Sequence, residues 1–271
     1  MKQKIKILLT PNAISIPILA IFLAEALFYI KKLWLGLSLH IANLIFIAAL
    51  AILINYIKNK KNKNIDSNGE ITGYLQVIIL IPLLRVINTS MPIFLPLTIY
   101  WFPFIYTPMY IPIYLVAKNQ GYTKAQIGLK LNNREITIHI LIGLLIGAIL
   151  GYIEYQVLHP ESLIEELNLS NLIKITLIMF LCIGLVEELI FRSILQTKLE
   201  QLFNPTTGLI IASLIFGAMH SGYSLPLEII FATSTGLLMG YLFQKTKSLY
   251  LITSIHGTIN VFLFAILPNY L

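Results

Sequence analysis

Charge is scarce in this sequence. Of its 271 residues, 11% are Asp, Glu, Lys or Arg and 57% are hydrophobic. Soluble domains carry about a quarter charged residues, and none of this length has core positions for so much apolar surface. A soluble globular domain is thereby excluded. The single cysteine, Cys182, excludes an intramolecular disulfide. It lies in an apolar run and reads as a small core side chain, with a thiol nucleophile as the alternative. The first apolar run lacks a small-residue cleavage site, so no cleavable signal peptide is expected. An internal repeat and an HExxH motif are also missing.

Acidic residues number 12 against 19 basic ones, a formal net charge of +7. The basic residues sit in short clusters between apolar runs, as at Lys58, Lys60, Lys61 and Lys63. That is the pattern of cytoplasmic loops under the positive-inside rule. A nucleic-acid surface needs a basic face on a folded soluble unit, so no nucleic-acid partner is expected. The lipid bilayer is the partner that composition implies.

A spanning helix needs about 20 apolar residues. Candidates are 12–30, 33–57, 73–88, 92–117, 136–157, 170–196, 207–220, 226–243 and 249–267. Pro82 interrupts the short run 73–88, and Pro96, Pro103, Pro108 and Pro112 predict that 92–117 is kinked or split. The fold class is all-α: a polytopic transmembrane bundle of eight or nine spans with a cytoplasmic N-terminus. The lysine-rich connections at 58–72, 118–135, 197–206 and 244–248 then fall on one side, and the acidic loop 158–169 on the other. Three parts are expected: a two-helix hairpin with a basic linker over 1–69, middle helices over 70–169, and a core over 170–271. The segment Tyr122–Asn133 is amphipathic and is expected along the cytoplasmic interface.

Ionisable groups inside a bilayer are costly and call for a partner or a function. The run Leu181–Leu195 holds Glu187, Glu188 and Arg192 in an otherwise apolar helix. Residues four apart share a helical face, so Glu188 can pair with Arg192. Glu187 points about 100° away and is left to face something else, as suits a general base. A plain salt bridge between helices needs only one carboxylate. Further along, Phe216 and His220 share one helix face, and His256 and Asn260 another. Glu25, Arg85, His139, Glu154, Lys174 and Glu228 also lie in or near apolar runs, without a catalytic expectation.

Glu187-Glu188-x-x-x-Arg192, Phe216-x-x-x-His220 and His256-x-x-x-Asn260, in that order, resemble the three-motif signature of the CPBP intramembrane proteases. That family contains the type II CAAX prenyl endopeptidases and the Abi self-immunity proteins. The resemblance covers roughly residues 170–267; ahead of it only Ile127-Gly128-Leu129 stands out. It implies an intramembrane endopeptidase of the cell membrane, acting on a membrane-associated protein or peptide, with CAAX-type processing as one form. In it Glu187 would activate water that His220 helps to hold. His256 and Asn260 would stabilise the oxyanion, and Glu188, Arg192 and Phe216 would support them.

No cofactor is expected. A zinc site on Glu187, His220 and His256 is the rival, since two histidines and a carboxylate form a known catalytic set. Other rivals are a proton-coupled transporter and a silent immunity or binding protein on the same scaffold. Helix depth puts Glu187 roughly 16 Å from the Lys198 end and His220 deeper, about 20 Å from Thr206. On that count the site is expected in a water-filled pocket reached from the cytoplasmic side.

Overall fold

The computed structural model describes the backbone of residues 2–61, 66–94 and 99–271, and the side chains of 13–57, 70–89 and 99–271. It is all-α among the described residues. In chain order the helices are α1 (Lys2–Tyr29), α2 (Leu33–Lys61), α3 (Asp66–Ile78) and α4 (Leu80–Phe94). Then come α5 (Trp101–Tyr106), α6 (Tyr110–Asn119), α7 (Asn133–Leu158) and α8 (Leu169–Leu202). The last three are α9 (Pro205–Ala218), α10 (Pro226–Thr246) and α11 (Leu249–Asn269).

Among the described residues six stretches are long and apolar enough to cross a membrane: Leu33–Ile57, Glu70–Thr89, Asn133–Leu158, Leu169–Leu202, Pro226–Thr246 and Leu249–Asn269. A shorter apolar stretch, Ala13–Tyr29, precedes them. Large apolar side chains such as Leu23, Ile45, Leu145, Ile173 and Ile230 are exposed on these helices. Lipid is the solvent that tolerates such positions, because the helix satisfies its own backbone polar groups. The chain is a polytopic helical membrane protein.

Local sequence explains where helices begin. Asn132 accepts from the Glu135 amide and Glu135 returns the bond, a capping box that starts α7. Asn168, Asn204 and Ser248 cap α8, α9 and α11 in the same side-chain manner. Pro205 and Pro226 stand in the first turns of α9 and α10, where no N–H is needed.

The proline expectations resolve differently at two places. Pro82 cannot donate to the carbonyl of Ile78, and α3 passes into α4 at Ile79 with only a local break. Glu70–Thr89 therefore forms one span. The run expected at 92–117 is split: α5 and α6 are joined by a 3₁₀ turn at Thr107–Met109, and 95–98 lie outside the described residues. The amphipathic segment Tyr122–Asn133 is not helical before Asn133. It is a turn-rich connection that docks at Ile127-Gly128-Leu129, where the Gly128 carbonyl accepts from Leu249 and that of Ile127 from Ser193. Gly128 stands at φ +84° with its α-carbon face against Leu249 and Phe243, so a side chain there is excluded twice over.

Two ends of the bundle can be told apart by what ties them. At one end the 120–132 connection meets Gln76 in the last turn of α3, the start of α11 and the last turns of α8, and Gln244 bonds to Glu200. At the other, Leu163 bonds to Phe264, Asn269 to Ser162, and Arg85 and Ser221 both reach Glu25. Small residues bring α7 against α11: at Gly143, Gly147 and Gly151 a Cβ would overlap residues of α11.

Candidate active site

The 34-residue helix α8 is not uniform. π-helical turns over Ile178–Gly184 and Leu189–Gln196 flank one α-helical turn, Leu185–Glu188, which carries both glutamates. The even α-helix implied by the apolar run is thus modified around the carboxylates, where wider turns re-aim side chains. Glu188 still reaches Arg192: Arg192 Nη1 donates to Glu188 Oε1 at 2.9 Å, and both side chains are buried. Phe216 covers the guanidinium, its ring centroid 4.1 Å from Arg192 Cζ, a cation–π contact between α9 and α8.

The same Glu188 oxygen takes a second donor, His256 Nδ1 of α11, at 2.7 Å. An Arg-paired carboxylate accepts, so the ring carries its proton on Nδ1. Nε2 then faces Glu187, 3.8 Å from Oε2. The approach of α11 to α8 depends on Gly257, where a Cβ would lie 2.5 Å from the Phe180 ring, and on Gly184, which packs against the Gly257 backbone. Asn260, one turn beyond His256, lines the same cavity.

Glu187 takes the other direction. Its Oε1 accepts from the hydroxyl of Tyr106, on α5, at 2.8 Å, and that hydroxyl accepts from Asn88 Nδ2 at 3.3 Å. Tyr106 and Asn88 were invisible in the sequence: the contact spans 81 positions and begins in a proline-rich stretch with no motif. His220 stands just past the end of α9, where helix carbonyls lack amide partners. Its Nδ1 lies 3.0 Å from the Phe216 carbonyl. A carbonyl only accepts, so Nδ1 donates and Nε2 is left as an acceptor.

These groups meet around one cavity of about 520 Å³. Glu187, His220, His256 and Asn260 line it, together with Tyr106, Asn88 and Arg85. Apolar side chains such as Leu84, Phe102, Ile183 and Phe191 supply much of the remaining wall. A smaller cavity behind, shared by His220, His256 and Asn260, also touches Glu154. Cys182 lies against Thr107, with Oγ1 and Sγ 4.0 Å apart, and is not part of the wall. Glu25 is bonded to His40, Arg85 and Ser221, a structural use of a buried carboxylate.

Among the described residues no group of three His, Cys, Asp or Glu is arranged to hold a metal ion. In the rival zinc set Glu187, His220 and His256, each histidine gives its Nδ1–H to a protein acceptor, the Phe216 carbonyl or the Glu188 carboxylate, and turns Nε2 to the cavity, as metal-binding histidines also do. What the arrangement offers is a carboxylate beside the cavity, an imidazole acceptor, and donors facing the same space. That is the equipment for general-base activation of water and oxyanion stabilisation. The cavity does not open where the helix depths implied. Phe28, Leu33, Thr89, Leu163, Tyr223 and Phe264 put it toward the end opposite the lysine-rich connections.

Residues 169–262 match the family model described as type II CAAX prenyl endopeptidase Rce1-like. The matched stretch contains Glu187, Glu188, Arg192, Phe216, His220, His256 and Asn260. No curated protein and no solved structure matches the chain.

Proposed function

We propose, from the premise that residues 169–262 form a type II CAAX prenyl endopeptidase Rce1-like domain, that the protein is an intramembrane endopeptidase using a glutamate-activated water. The observation that carries this reading is the division of labour between adjacent carboxylates. Glu188 is bound to Arg192 and His256, whereas Glu187 faces the cavity with only a hydroxyl donor at 2.8 Å. Glu187 takes the proton of a water that His220 Nε2 helps to hold. The water attacks the scissile carbonyl, and Asn260 and His256 bind the oxyanion. The proton then passes to the leaving amine. With Nδ1–H engaged by Glu188, His256 Nε2 donates only when both ring nitrogens are protonated.

The proposed substrate is a membrane-associated protein or peptide, with CAAX-type processing as one form. The proposed setting is a cell membrane, crossed eight or nine times with a cytoplasmic N-terminus. The three-part division at 1–69, 70–169 and 170–271 belongs to the same proposal. Its last part is the catalytic core, and Tyr106 and Asn88 of the middle part complete the site. Peptide cleavage by purified protein tests the mechanism: wild type cleaves and Glu187→Ala does not, whereas cleavage by both rejects it. The transporter and silent-scaffold rivals predict no cleavage by either.

A further inference from the structure

The mouth of the catalytic cavity and the basic surface of the protein lie at opposite ends. The outer wall comes from Phe28 and Leu33 at the α1–α2 turn, Thr89 late in α4, Leu163 between α7 and α8, Gly222 and Tyr223 between α9 and α10, and Phe264 late in α11. Every one of these belongs to the same end of the bundle. Exposure falls inward from this rim: Leu33 is 40% and Tyr223 46% exposed, while the Glu187 side chain is 14% and that of His256 8% exposed.

The other end is closed below the site. Ser193 bonds to Ile127, Leu249 to Gly128, Gln196 to Glu200 and the Gly240 carbonyl, and Gln120 to Gln76. Among the described residues, none in the connections at this end lines the cavity. This closed end carries Lys118, Lys124, Lys130, Arg134, Lys198, Lys245 and Lys247. The open end carries Lys31 and Lys32 on one connection, Glu161, Glu165 and Glu166 on another, and Lys174 early in α8. Lys and Arg in short loops set membrane orientation, and the side rich in them is cytoplasmic.

The geometry points to a site entered from the extracytoplasmic side, whose substrate is a peptide segment lying at or beyond the outer leaflet. This deepens the proposed peptidase reading and rests on it. It reverses the approach that helix depth alone suggests. A substrate tail free in the cytoplasm would face the sealed, basic end, whereas a secreted or outward-facing segment of a membrane protein meets the open rim. The apolar walls at Phe28, Leu33, Phe102 and Phe264 suit a chain delivered from the lipid interface.

Cysteine labelling tests the orientation without requiring activity. In a Cys182→Ser background, Tyr223→Cys and Glu161→Cys report the open end and Lys124→Cys the basic end. A membrane-impermeant maleimide–biotin on intact cells is expected to label the first two variants, and Lys124→Cys only after permeabilisation. The reverse pattern overturns the proposal. Glu161→Cys lies outside the cavity wall and keeps the test decisive if Tyr223→Cys fails to fold.

Protein termini present in cells with wild-type protein and absent with Glu187→Ala provide the second arm. They are expected in extracytoplasmic segments. Glu187-dependent cuts confined to cytoplasmic segments, with the reversed labelling, reject the entry side and leave the peptidase reading intact. Outward labelling without any Glu187-dependent terminus rejects the peptidase reading and leaves the orientation standing.

Discussion

His256 and Glu188 are joined across 2.7 Å between α11 and α8, through the same carboxylate oxygen that receives Arg192. One buried carboxylate thereby fixes a ring of the site and neutralises the guanidinium beside it. Its removal should act on folding before it acts on chemistry. Glu188→Ala leaves Arg192 buried and unpaired, which costs about 3–5 kcal/mol. Thermal unfolding in detergent is expected to show a marked fall in Tm for Glu188→Ala and almost none for Glu187→Gln. Equal melting of all three proteins would mean the ion pair holds nothing together.

Tyr106 offers the opposite kind of test. Tyr106→Phe keeps the packing of a nearly buried ring and removes only the donor to Glu187. Hydrogen bonds to charged groups contribute about 1.5–3 kcal/mol. The expected result is a kcat lower by roughly 10–100-fold with KM and Tm little changed. Unchanged kcat would show that Glu187 is positioned without it.

Asn260 touches the proposed chemistry rather than its support. Loss of one oxyanion donor costs about 10²–10³ in rate, so Asn260→Ala is expected to lower kcat by that order while substrate still binds. Steady-state kinetics on a cleaved peptide would check it. A change confined to KM would move Asn260 from the oxyanion to substrate binding.

Gly257 tests the helix approach. A methyl group there would meet the Phe180 ring at 2.5 Å and press α11 away from α8. Overpacking of this kind costs about 1–3 kcal/mol. Gly257→Ala should therefore lower Tm and activity together. Gly257→Ala combined with Phe180→Leu, which frees space, should recover part of both.

Metal dependence has a direct check. Each histidine has Nδ1 bound to a protein partner and Nε2 turned to the cavity, so chelation decides between the glutamate-activated water and the zinc reading. Peptide cleavage is expected to survive exhaustive chelation by a strong zinc chelator. Loss of cleavage that returns on adding zinc alone would restore the zinc reading.

Much of this was legible in the sequence because apolar run length and rare buried charges are strong signals. The runs leading to α7, α8, α10 and α11 were readable as helices from hydropathy, and the Glu188–Arg192 pair from helical spacing. Other features depend on contacts that no local pattern encodes. The π turns on either side of Glu187 arise within a uniformly apolar stretch. Tyr106 reaches Glu187 from a split, proline-rich segment, and the cavity mouth is assembled from five separate parts of the chain. Helix depth puts His220 about 20 Å from Thr206, in agreement with the 14 residues and about 21 Å of rise in α9, but depth alone does not tell at which end the cavity opens.

The most direct measurement compares protein termini in cells expressing wild type with those expressing Glu187→Ala at matched membrane levels. Catalysis by Glu187 predicts a set of new termini in membrane-associated proteins or peptides that appears only with wild type. The same termini at the same abundance with Glu187→Ala would contradict it.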